Sequence, residues 1–441
     1  MADIELSDPN VQRLMWRLGL PAMAGLSLNA AHQAVDAAFV GRLGTEPLAA
    51  LLLLSPMAGL IAAAGIGLGI GAASSVARSL GAGDADEARA VTGLALLVAA
   101  ALAICAVAGL LLFADPALRL LGAQGAMLDV ARPYLSVQAI TIGCAILQIQ
   151  CDFLAIGRGN AQFSMKTLAL CFGLNILLDP LFIFGFDLGL PGAAWATLCA
   201  QIITLAVWAW HFSNRARRPK IGTARLLGPV LRVGMPEAAS VAITTLSLMA
   251  LLRLATGFDG AGSVAALGIA LRLIFVVMLP LEGFAIGVQP ILSHAFGRCD
   301  AERFAMTLRL ILWKSFGVTT TLAILFFLFA QPLVSVFVTD PGILENATLL
   351  LRCLAIALPA IALRLCVQIS LQATIRPRAA AVLGLAPMGW LLWPLVALLV
   401  PGFDVLGIAL AVMIAAWIAA MLAFITLRTT PNSLQSTGVS V

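Results

Sequence analysis

The chain has 441 residues, of which 61% are apolar and only 11% are charged, and its mean hydropathy is +1.04. Soluble domains carry about 25% charged residues, so this composition excludes a soluble domain and predicts a protein embedded in a membrane. The net charge of +5 comes from Lys and Arg residues spread over short loops. Without a basic block or interleaved aromatic residues, that charge does not indicate a nucleic acid partner.

Twelve apolar segments follow one another along the chain. A membrane-spanning helix needs about 20 apolar residues. The segments lie, within a few residues, at 12–40, 47–75, 89–114, 124–150, 161–185, 190–212, 226–256, 263–291, 303–330, 342–371, 379–400 and 405–428. Their continuous Leu- and Ala-rich runs favour helices over the short alternating strands of a barrel. We therefore predict an all-α integral membrane protein with twelve transmembrane helices.

The loops between these segments alternate in charge. One set holds most of the Lys and Arg residues, including Arg78, Arg158, Arg217 and Arg376, and the other set holds fewer of them and more acids. Cytoplasmic loops carry an excess of Lys and Arg. The pattern predicts a multi-pass protein of the bacterial inner (plasma) membrane with both termini in the cytoplasm. The acidic N-terminus lacks the basic region of a signal peptide.

The second half of the chain repeats landmarks of the first. Gly19–Pro21 recurs as Gly234–Pro236, Arg78 as His294, Arg158 as Arg376 and Gly185–Asp187 as Gly402–Asp404, at offsets of 215, 216, 218 and 217. This offset spans six of the predicted helices, an even number, so both copies have the same orientation in the membrane. It therefore predicts two six-helix lobes related by a parallel repeat, an arrangement typical of transporters. The expected divisions are a first lobe at 1–212, a cytoplasmic linker at 213–225, a second lobe at 226–428 and a polar cytoplasmic tail at 429–441.

Two acids of the first half lie inside apolar segments. Asp36 is in the first segment, and Asp179 follows Asn175 by one helical turn in the fifth. An ionised side chain in the membrane interior costs on the order of 3 kcal/mol or more, so such residues are paired, protonated, ion-bound or in contact with water. Two structural alternatives stay open: Asp36 could lie at the outer interface, and Asp179 could mark a helix end before Pro180.

Other residues are weaker candidates on their own. Pro21 lies inside the first segment, where a proline removes a backbone hydrogen bond and permits a bend, so it is a candidate hinge. Tyr134 is the only tyrosine of the chain, and the common role of such a residue in a membrane protein is that of an interfacial anchor. Thr197 lies in the sixth segment, where a threonine commonly bonds its own backbone.

The second half carries a different set of polar residues. Glu237 follows Pro236 and is expected in the first turn of its helix. Glu282 lies within an apolar segment and could pair with an arginine of that lobe, with Gln289 seven residues further on. Glu282 and Gln289 are candidate substrate contacts of the second lobe.

No motif of an enzyme or of a cofactor site is present. The eight cysteines form no CxxC pair, the three histidines are far apart, and there is no nucleotide-binding loop. A rival interpretation, an intramembrane enzyme, lacks a nucleophile with a matching base. We expect a secondary transporter with no catalytic residues and no cofactor, and no metal beyond a possible Na⁺ at Asp36 and Asp179.

Several stretches resemble the multidrug and toxic compound extrusion transporters over the whole chain. They are GLP at 19–21, VDAAFVGRLG at 35–44, SLGAGDADEA at 79–88, GRGN at 157–160 and NILLDPLFIFGFDLGLPGAAWAT at 175–197. The resemblance is greatest to the DNA-damage-inducible F type (DinF-like). It implies twelve helices in two lobes, and a first-lobe cluster for the coupling ion at Asp36, Tyr134, Asn175, Asp179 and Thr197. Other members of the family carry the acids of a sodium site in the second lobe. In this chain Thr244 and Thr245 lie near the position of the first of these acids, so the resemblance does not favour a sodium site there.

Together these observations predict a multidrug efflux antiporter. It would export amphipathic or cationic organic compounds in exchange for protons or sodium, by alternating access between two lobes. The expected partners are small drug-like substrates and membrane lipids, with no nucleic acid, and the expected state is a monomer. The alternative is a flippase of lipid-linked oligosaccharides or lipids from the same superfamily, which requires cationic residues in the central cavity.

Overall fold

The protein is a bundle of helices. The computed structural model describes residues 6–121, 126–215, 217–258, 261–338 and 340–428, and these residues form no strand. Their α-helices are α1 Val11–Gly41, α2 Thr45–Gly81, α3 Ala85–Leu112, α4 Ala114–Leu121, α5 Ala126–Gly157, α6 Ala161–Pro180, α7 Gly189–Ser213, α8 Leu227–Ala255, α9 Ala261–Gly297, α10 Ala301–Leu328, α11 Ala330–Ser335, α12 Pro341–Ala373, α13 Pro377–Leu385 and α14 Leu392–Arg428. A π-helical turn, Leu181–Gly185, follows α6, and a 3₁₀ turn, Ala224–Leu226, precedes α8.

The spans agree with the predicted segments. Within the described residues, ten helices are long and apolar enough to cross a membrane. The helix α1 is of similar length but carries more polar residues, and α14 is divided at Asp404, where the backbone leaves the helical region with φ 50° and ψ −132°. Counting α1 and both parts of α14 gives the twelve expected spans.

The predicted eleventh span is not one continuous helix. It consists of α13, a turn over 386–391 and the first part of α14. A broken helix leaves carbonyl groups without intrahelical partners, and at membrane depth these must bond elsewhere. Ser240 of α8 donates to the Gly384 carbonyl at 2.9 Å, and Ser247 donates to the Met388 carbonyl at 2.5 Å. Two serine hydroxyls of a neighbouring helix therefore stabilise the break.

The two halves of the chain touch at one face of the bundle, which we call the terminus face. It is the face at which α1 and α8 begin and α2 and α9 end. There α2 packs on α8, and α1 packs on α9. A Cβ atom on Gly67 of α2 would lie 2.6 Å from the Ala238 Cβ and 2.7 Å from the Gly234 carbonyl oxygen of α8. A Cβ atom on Gly287 of α9 would lie 2.6 Å from the Leu18 carbonyl oxygen of α1. Small residues thus let the backbones of the two halves meet and close this face.

Away from the terminus face the helices of the two halves pack less closely. The residues of 26–31 in α1 and of 237–245 in α8 are all partly exposed, whichever way they point around the helix. A helix that packed on one side and met lipid on the other would alternate between buried and exposed positions. This pattern indicates looser packing around these stretches of α1 and α8, and we call the space beside them the cleft.

The contact of Gly67 makes the closure of the terminus face testable. We expect Gly67→Ala to favour separation of the halves at this face, because the added methyl group meets backbone and Cβ atoms. Such overpacking costs about 1–3 kcal/mol. The equilibrium between the closed and the separated terminus face should therefore shift about fivefold or more. The Oγ atoms of Ser74 in α2 and Ser293 in α9 are 2.9 Å apart. The measurement is disulfide formation in a Ser74→Cys/Ser293→Cys pair, which Gly67→Ala should reduce. Gly109→Ala in α3 is the control, because its added methyl group meets no atom within 4 Å; equal cross-linking in both variants would contradict the assignment.

Candidate functional site

The first-lobe site lies at the end of α6. One face of this helix is polar and buried along its length, with Ser164, Thr167, Cys171, Asn175 and Asp179 at intervals of three or four residues. This spacing places the five side chains in one stripe. Pro180 ends the regular helix directly after Asp179, and a π-helical turn follows. The acid therefore occupies an α-to-π junction inside the lobe, and the apolar run continues beyond it.

Hydrogen bonds join three of the predicted site residues. The Asn175 amide donates to Asp179 Oδ1 at 3.0 Å and to Thr197 Oγ1 of α7 at 3.0 Å. Thr197 in turn donates to the carbonyl of Ala193 at 3.0 Å. Asp179 is 0% exposed and Asn175 1% exposed. Thr197 does bond its own helix, as expected for such a residue, but its oxygen also receives the Asn175 amide.

Asp36 and Tyr134 complete the group. Asp36 lies in α1, near enough to Asp179 for the two carboxyl groups to interact electrostatically. Tyr134 of α5 is 4% exposed and interacts electrostatically with Asp36. Tyr134 is thus buried inside the lobe, and the interpretation of it as an interfacial anchor is wrong. All five residues that the family resemblance suggested come together from four helices.

The site has an excess of acceptor atoms. Asp36 Oδ1, Asp179 Oδ2 and Asn175 Oδ1 are buried, and none has a hydrogen-bond partner among the described residues. A buried acceptor without a partner is costly, and two carboxylates that face each other repel. The arrangement therefore favours uptake of a positive charge, either as protons on the carboxyl groups or as a cation between the oxygens.

Two residues near this stripe were not singled out from the sequence. His32 is one turn before Asp36, is buried and stacks on Phe172 with ring centroids 4.6 Å apart. Asp152 of α5 is 7% exposed, and its Oδ1 accepts from Ser164 at 2.8 Å and from Thr167 at 3.4 Å. The four-residue interval from His32 to Asp36 was a usable signal. Asp152 lies close to a loop in the sequence, which hid its burial.

The second lobe contains a separate polar network that connects α8, α9 and α12. Glu237 of α8 accepts from the side-chain amides of Gln368 at 2.6 Å and Gln372 at 2.7 Å. Gln372 also accepts from Gln289 of α9 at 3.0 Å, and Arg364 donates to Gln368. Two side-chain amides thus hold the Glu237 carboxylate directly, and Gln289 and Arg364 in turn bond those amides.

The structure shows that the expected position of Glu237 was wrong, and it places the candidate substrate contacts Gln289 and Glu282. Glu237 is ten residues beyond the start of α8 and not in its first turn, because the helix begins at Leu227. Gln289 is 3% exposed, and its amide nitrogen is used by the network. Glu282 makes no hydrogen bond or ion pair with another described residue, but it interacts electrostatically with Glu237 and Arg364. Contacts of Glu282 and Gln289 with a substrate stay predictions.

Fold and site define a membrane transporter built from two helical lobes around a cleft. The MatE family model matches residues 21–181 and 236–398, once in each half. The chain belongs to the MatE family. The predicted family, the repeated all-helical membrane fold and the assignment as a transporter and not an enzyme are confirmed; the DinF-like branch stays a prediction.

Individual relatives agree over nearly the whole length. The multidrug export protein MepA of Staphylococcus aureus (strain N315) is 25% identical over 423 residues, covering 94% of this chain and 93% of the relative. A FAD transporter of Shewanella oneidensis is 27% identical over 403 residues, covering 89% of each chain.

Solved structures show the same fold. A MATE transporter in its bent conformation is 24% identical, with a TM-score of 0.93 and 98% of each chain covered. A MOP superfamily transporter from Pyrococcus furiosus is 24% identical, with a TM-score of 0.88, covering 98% of this chain and 100% of that one. These likenesses support the two-lobe architecture alone.

Proposed function

We propose that the chain is a multidrug efflux antiporter that exports amphipathic or cationic organic compounds in exchange for protons. The relative MepA is named a multidrug export protein, and it aligns with 94% of this chain. The coupling site of the proposal consists of Asp36, Asp179, Asn175, Thr197 and Tyr134.

The excess of buried acceptors in this site is the observation that carries the proposal. Proton uptake by Asp36 or Asp179 converts an acceptor into a donor, which gives the unpartnered oxygens of the site a partner. Proton entry from outside is favoured by the membrane potential, about 2.3 kcal/mol per charge per 100 mV. Exchange follows if the charged carboxylates hold a cationic drug and the protonated ones release it. Sodium could supply the same positive charge, and the experiment below separates the two ions.

The position of the cleft supports alternating access. The loop charges predict that the terminus face is cytoplasmic, in the inner membrane. The closed terminus face and the cleft toward the opposite face then correspond to an outward-open state. The glycine contacts between α2 and α8 and between α1 and α9 would have to separate when the transporter opens to the cytoplasm. We expect a monomer to suffice, since both lobes of the cleft come from one chain.

The charges of the second lobe argue against the flippase alternative. A lipid pyrophosphate requires several cations, whereas Arg364 is accompanied by Glu237 and Glu282, so this cluster carries a formal net charge of −1. A net negative wall suits cationic substrates better than a polyanion. Glu282 is the member of the cluster that we propose as a substrate contact.

The experiment is transport by the purified protein in liposomes. A fluorescent organic cation is supplied under an imposed pH gradient, under an imposed sodium gradient, and with no gradient. Drug movement driven by the pH gradient supports the proposal, and movement driven only by sodium assigns the coupling to Na⁺. If neither gradient drives movement of a drug that the protein binds, antiport is excluded.

A further inference from the structure

An apolar groove lies on the outside of the bundle where the two halves of the chain meet. Its walls come from α1 of the first half and from α9 and α10 of the second half. The groove contains about 530 Å³ of empty space, including the part that is open to the surroundings of the bundle. The side chains that line it are uncharged except for one, Lys314 of α10. None of them belongs to the first-lobe site or to the second-lobe network.

Lys314 is a charged residue inside a membrane-spanning segment. The apolar run of α10 extends from Leu310 to Leu328 and contains no other charged side chain. Lys314 is exposed, and it forms no hydrogen bond or ion pair with another described residue. A lysine in this position extends its ammonium toward the lipid headgroups, and a helical side chain leans toward the N-terminal end of its helix. Because α10 begins at the terminus face, the ammonium lies just beneath the headgroups on that side.

The groove extends from the level of these headgroups into the hydrocarbon. Arg309 directly precedes the apolar run of α10, and Arg17 follows Trp16 in α1; both arginines are exposed. Arginines and tryptophans near the ends of spanning helices lie at the membrane interface. The wall of the groove in α1 begins with Trp16 at this level and continues to Met23, about 10 Å further along the helix. The groove therefore follows the direction of a lipid acyl chain.

The groove also follows the contact between the two halves. The rings of Trp16 and Phe284, one from each half, have centroids 5.7 Å apart. A Cβ atom on Gly19 would lie 2.5 Å from Phe284, and one on Gly283 would lie 2.7 Å from the carbonyl oxygen of Ala22. These contacts belong to the packing of α1 on α9 that closes the terminus face. A molecule in the groove touches both halves, and it loses some of its contacts if the halves separate.

We propose that this groove binds an anionic phospholipid of the leaflet next to the terminus face. The lipid phosphate accepts hydrogen bonds from the ammonium of Lys314, and part of one acyl chain packs between Trp16 and Val318 on the groove walls. Within a membrane, the apolar walls attract any acyl chain by van der Waals packing. The charge of Lys314 then selects the headgroup, because a charge-assisted hydrogen bond to phosphate is a strong one. A cationic drug in the same groove would be repelled by Lys314.

The bound lipid should stabilise the closed terminus face. Its chain and its headgroup together contact α1, α9 and α10 only while the halves are in contact. A ligand that binds one state better than another shifts the equilibrium toward that state. The lipid composition of this leaflet would therefore set how readily the two halves separate.

The test is the quenching of Trp16 fluorescence by brominated phospholipids, whose acyl chains quench a tryptophan that they touch. The purified protein is reconstituted in phosphatidylcholine bilayers with increasing amounts of brominated phosphatidylglycerol, or of brominated phosphatidylcholine with the same chains. The quenching of Trp16 is the difference between the wild type and Trp16→Phe. We expect half of it at an about fivefold lower ratio of brominated to plain lipid for phosphatidylglycerol, the scale of one lysine near anionic lipid. Equal ratios for the two lipids would refute the proposal.

Substitutions assign the preference to the groove, each measured with and without Trp16→Phe. Lys314→Gln should remove the preference for phosphatidylglycerol, and Lys314→Arg, which keeps the charge, should retain it. Val318→Phe should reduce the quenching of Trp16 by both lipids, because the added ring occupies the place of the chain. The control is Arg309→Gln, at an exposed cation of the same helix that does not line the groove. If Arg309→Gln removes the preference as Lys314→Gln does, the cations attract anionic lipid without a site, and the proposal is overturned.

The effect on the terminus face has a measurement of its own. Disulfide formation in the Ser74→Cys/Ser293→Cys pair should be greater in bilayers that contain phosphatidylglycerol than in phosphatidylcholine alone, and Lys314→Gln should cancel the difference. Equal disulfide formation in the two bilayers would overturn the stabilisation of the closed face, while the quenching of Trp16 decides the lipid site. Neither measurement uses a drug or an ion gradient, so failure of the proposed antiport would leave both results unchanged.

Discussion

Asp36→Asn and Asp179→Asn should each reduce gradient-driven efflux to the level of protein-free liposomes. Asparagine has nearly the shape of aspartate but can neither gain nor lose a proton. In Asp179→Asn, the oxygen of the new amide can still accept the hydrogen bond from Asn175, so the fold should persist. Each variant keeps only one acid of the pair, so we expect the site to lose the uptake of positive charge on which the membrane potential acts, and the exchange to lose its driving force.

The measurement is drug movement in proteoliposomes under an imposed pH gradient, with protein amount and thermal stability checked for each variant. Asp115→Asn is the matched control, because Asp115 forms an exposed ion pair with Arg132, and such pairs contribute about 0–1 kcal/mol. It should transport as the wild type does. Wild-type efflux in both Asp36→Asn and Asp179→Asn would show that the coupling ion binds elsewhere.

Much of the architecture follows from the composition of the chain. Apolar runs of about 20 residues have few folded alternatives, and landmarks such as Arg78 and His294 at a near-constant offset reveal the two lobes without any knowledge of contacts. The same reasoning finds Asp36 and Asp179, because an acid inside an apolar segment is conspicuous. The interval of four residues then adds Asn175 to the face of Asp179. These predictions use only local rules of helices in lipid.

Contacts between distant helices could not be predicted in this way. Glu237 and Gln368 are 131 positions apart, and nothing in the spacing of either helix indicates that they meet. Tyr134 and Thr197 entered the candidate site through family resemblance, because neither has a local pattern that separates it from ordinary membrane residues. The break in the eleventh span likewise depends on Ser240 and Ser247 of another helix. Side-chain pairing across helices is decided by packing, which a single sequence does not display.

Pro21→Ala should abolish a change in the shape of α1 that accompanies protonation of Asp36. Pro21 lies inside α1, fifteen residues or about four turns before Asp36. A proline removes one backbone hydrogen bond, so the helix can bend there at lower cost. Protonated Asp36 can donate a hydrogen bond, for which Asp179 Oδ2 and Asn175 Oδ1 are free acceptors. We expect the new bond to pull the outer half of α1 toward α6 and to close the first-lobe cavity. Alanine restores the backbone N–H, so α1 should stay straight at this position. Gradient-driven efflux by Pro21→Ala should therefore be lower than that of the wild type.

The measurement is the distance between spin labels at Gln33→Cys on α1 and Phe113→Cys at the end of α3, both exposed positions. The wild type should show two distances whose populations change between low and high pH, and both Pro21→Ala and Asp36→Asn should show one. Pro236→Ala is the control, because Pro236 holds the corresponding place in α8 and Leu251 stands fifteen residues further on, where no proton can bind. A fixed kink, or a proline merely tolerated near the helix start, predicts the same single distance in the wild type at every pH. That result would remove the hinge from the mechanism even if Asp36 carries the ion, since the proton would then have to act through the packing of the lobes.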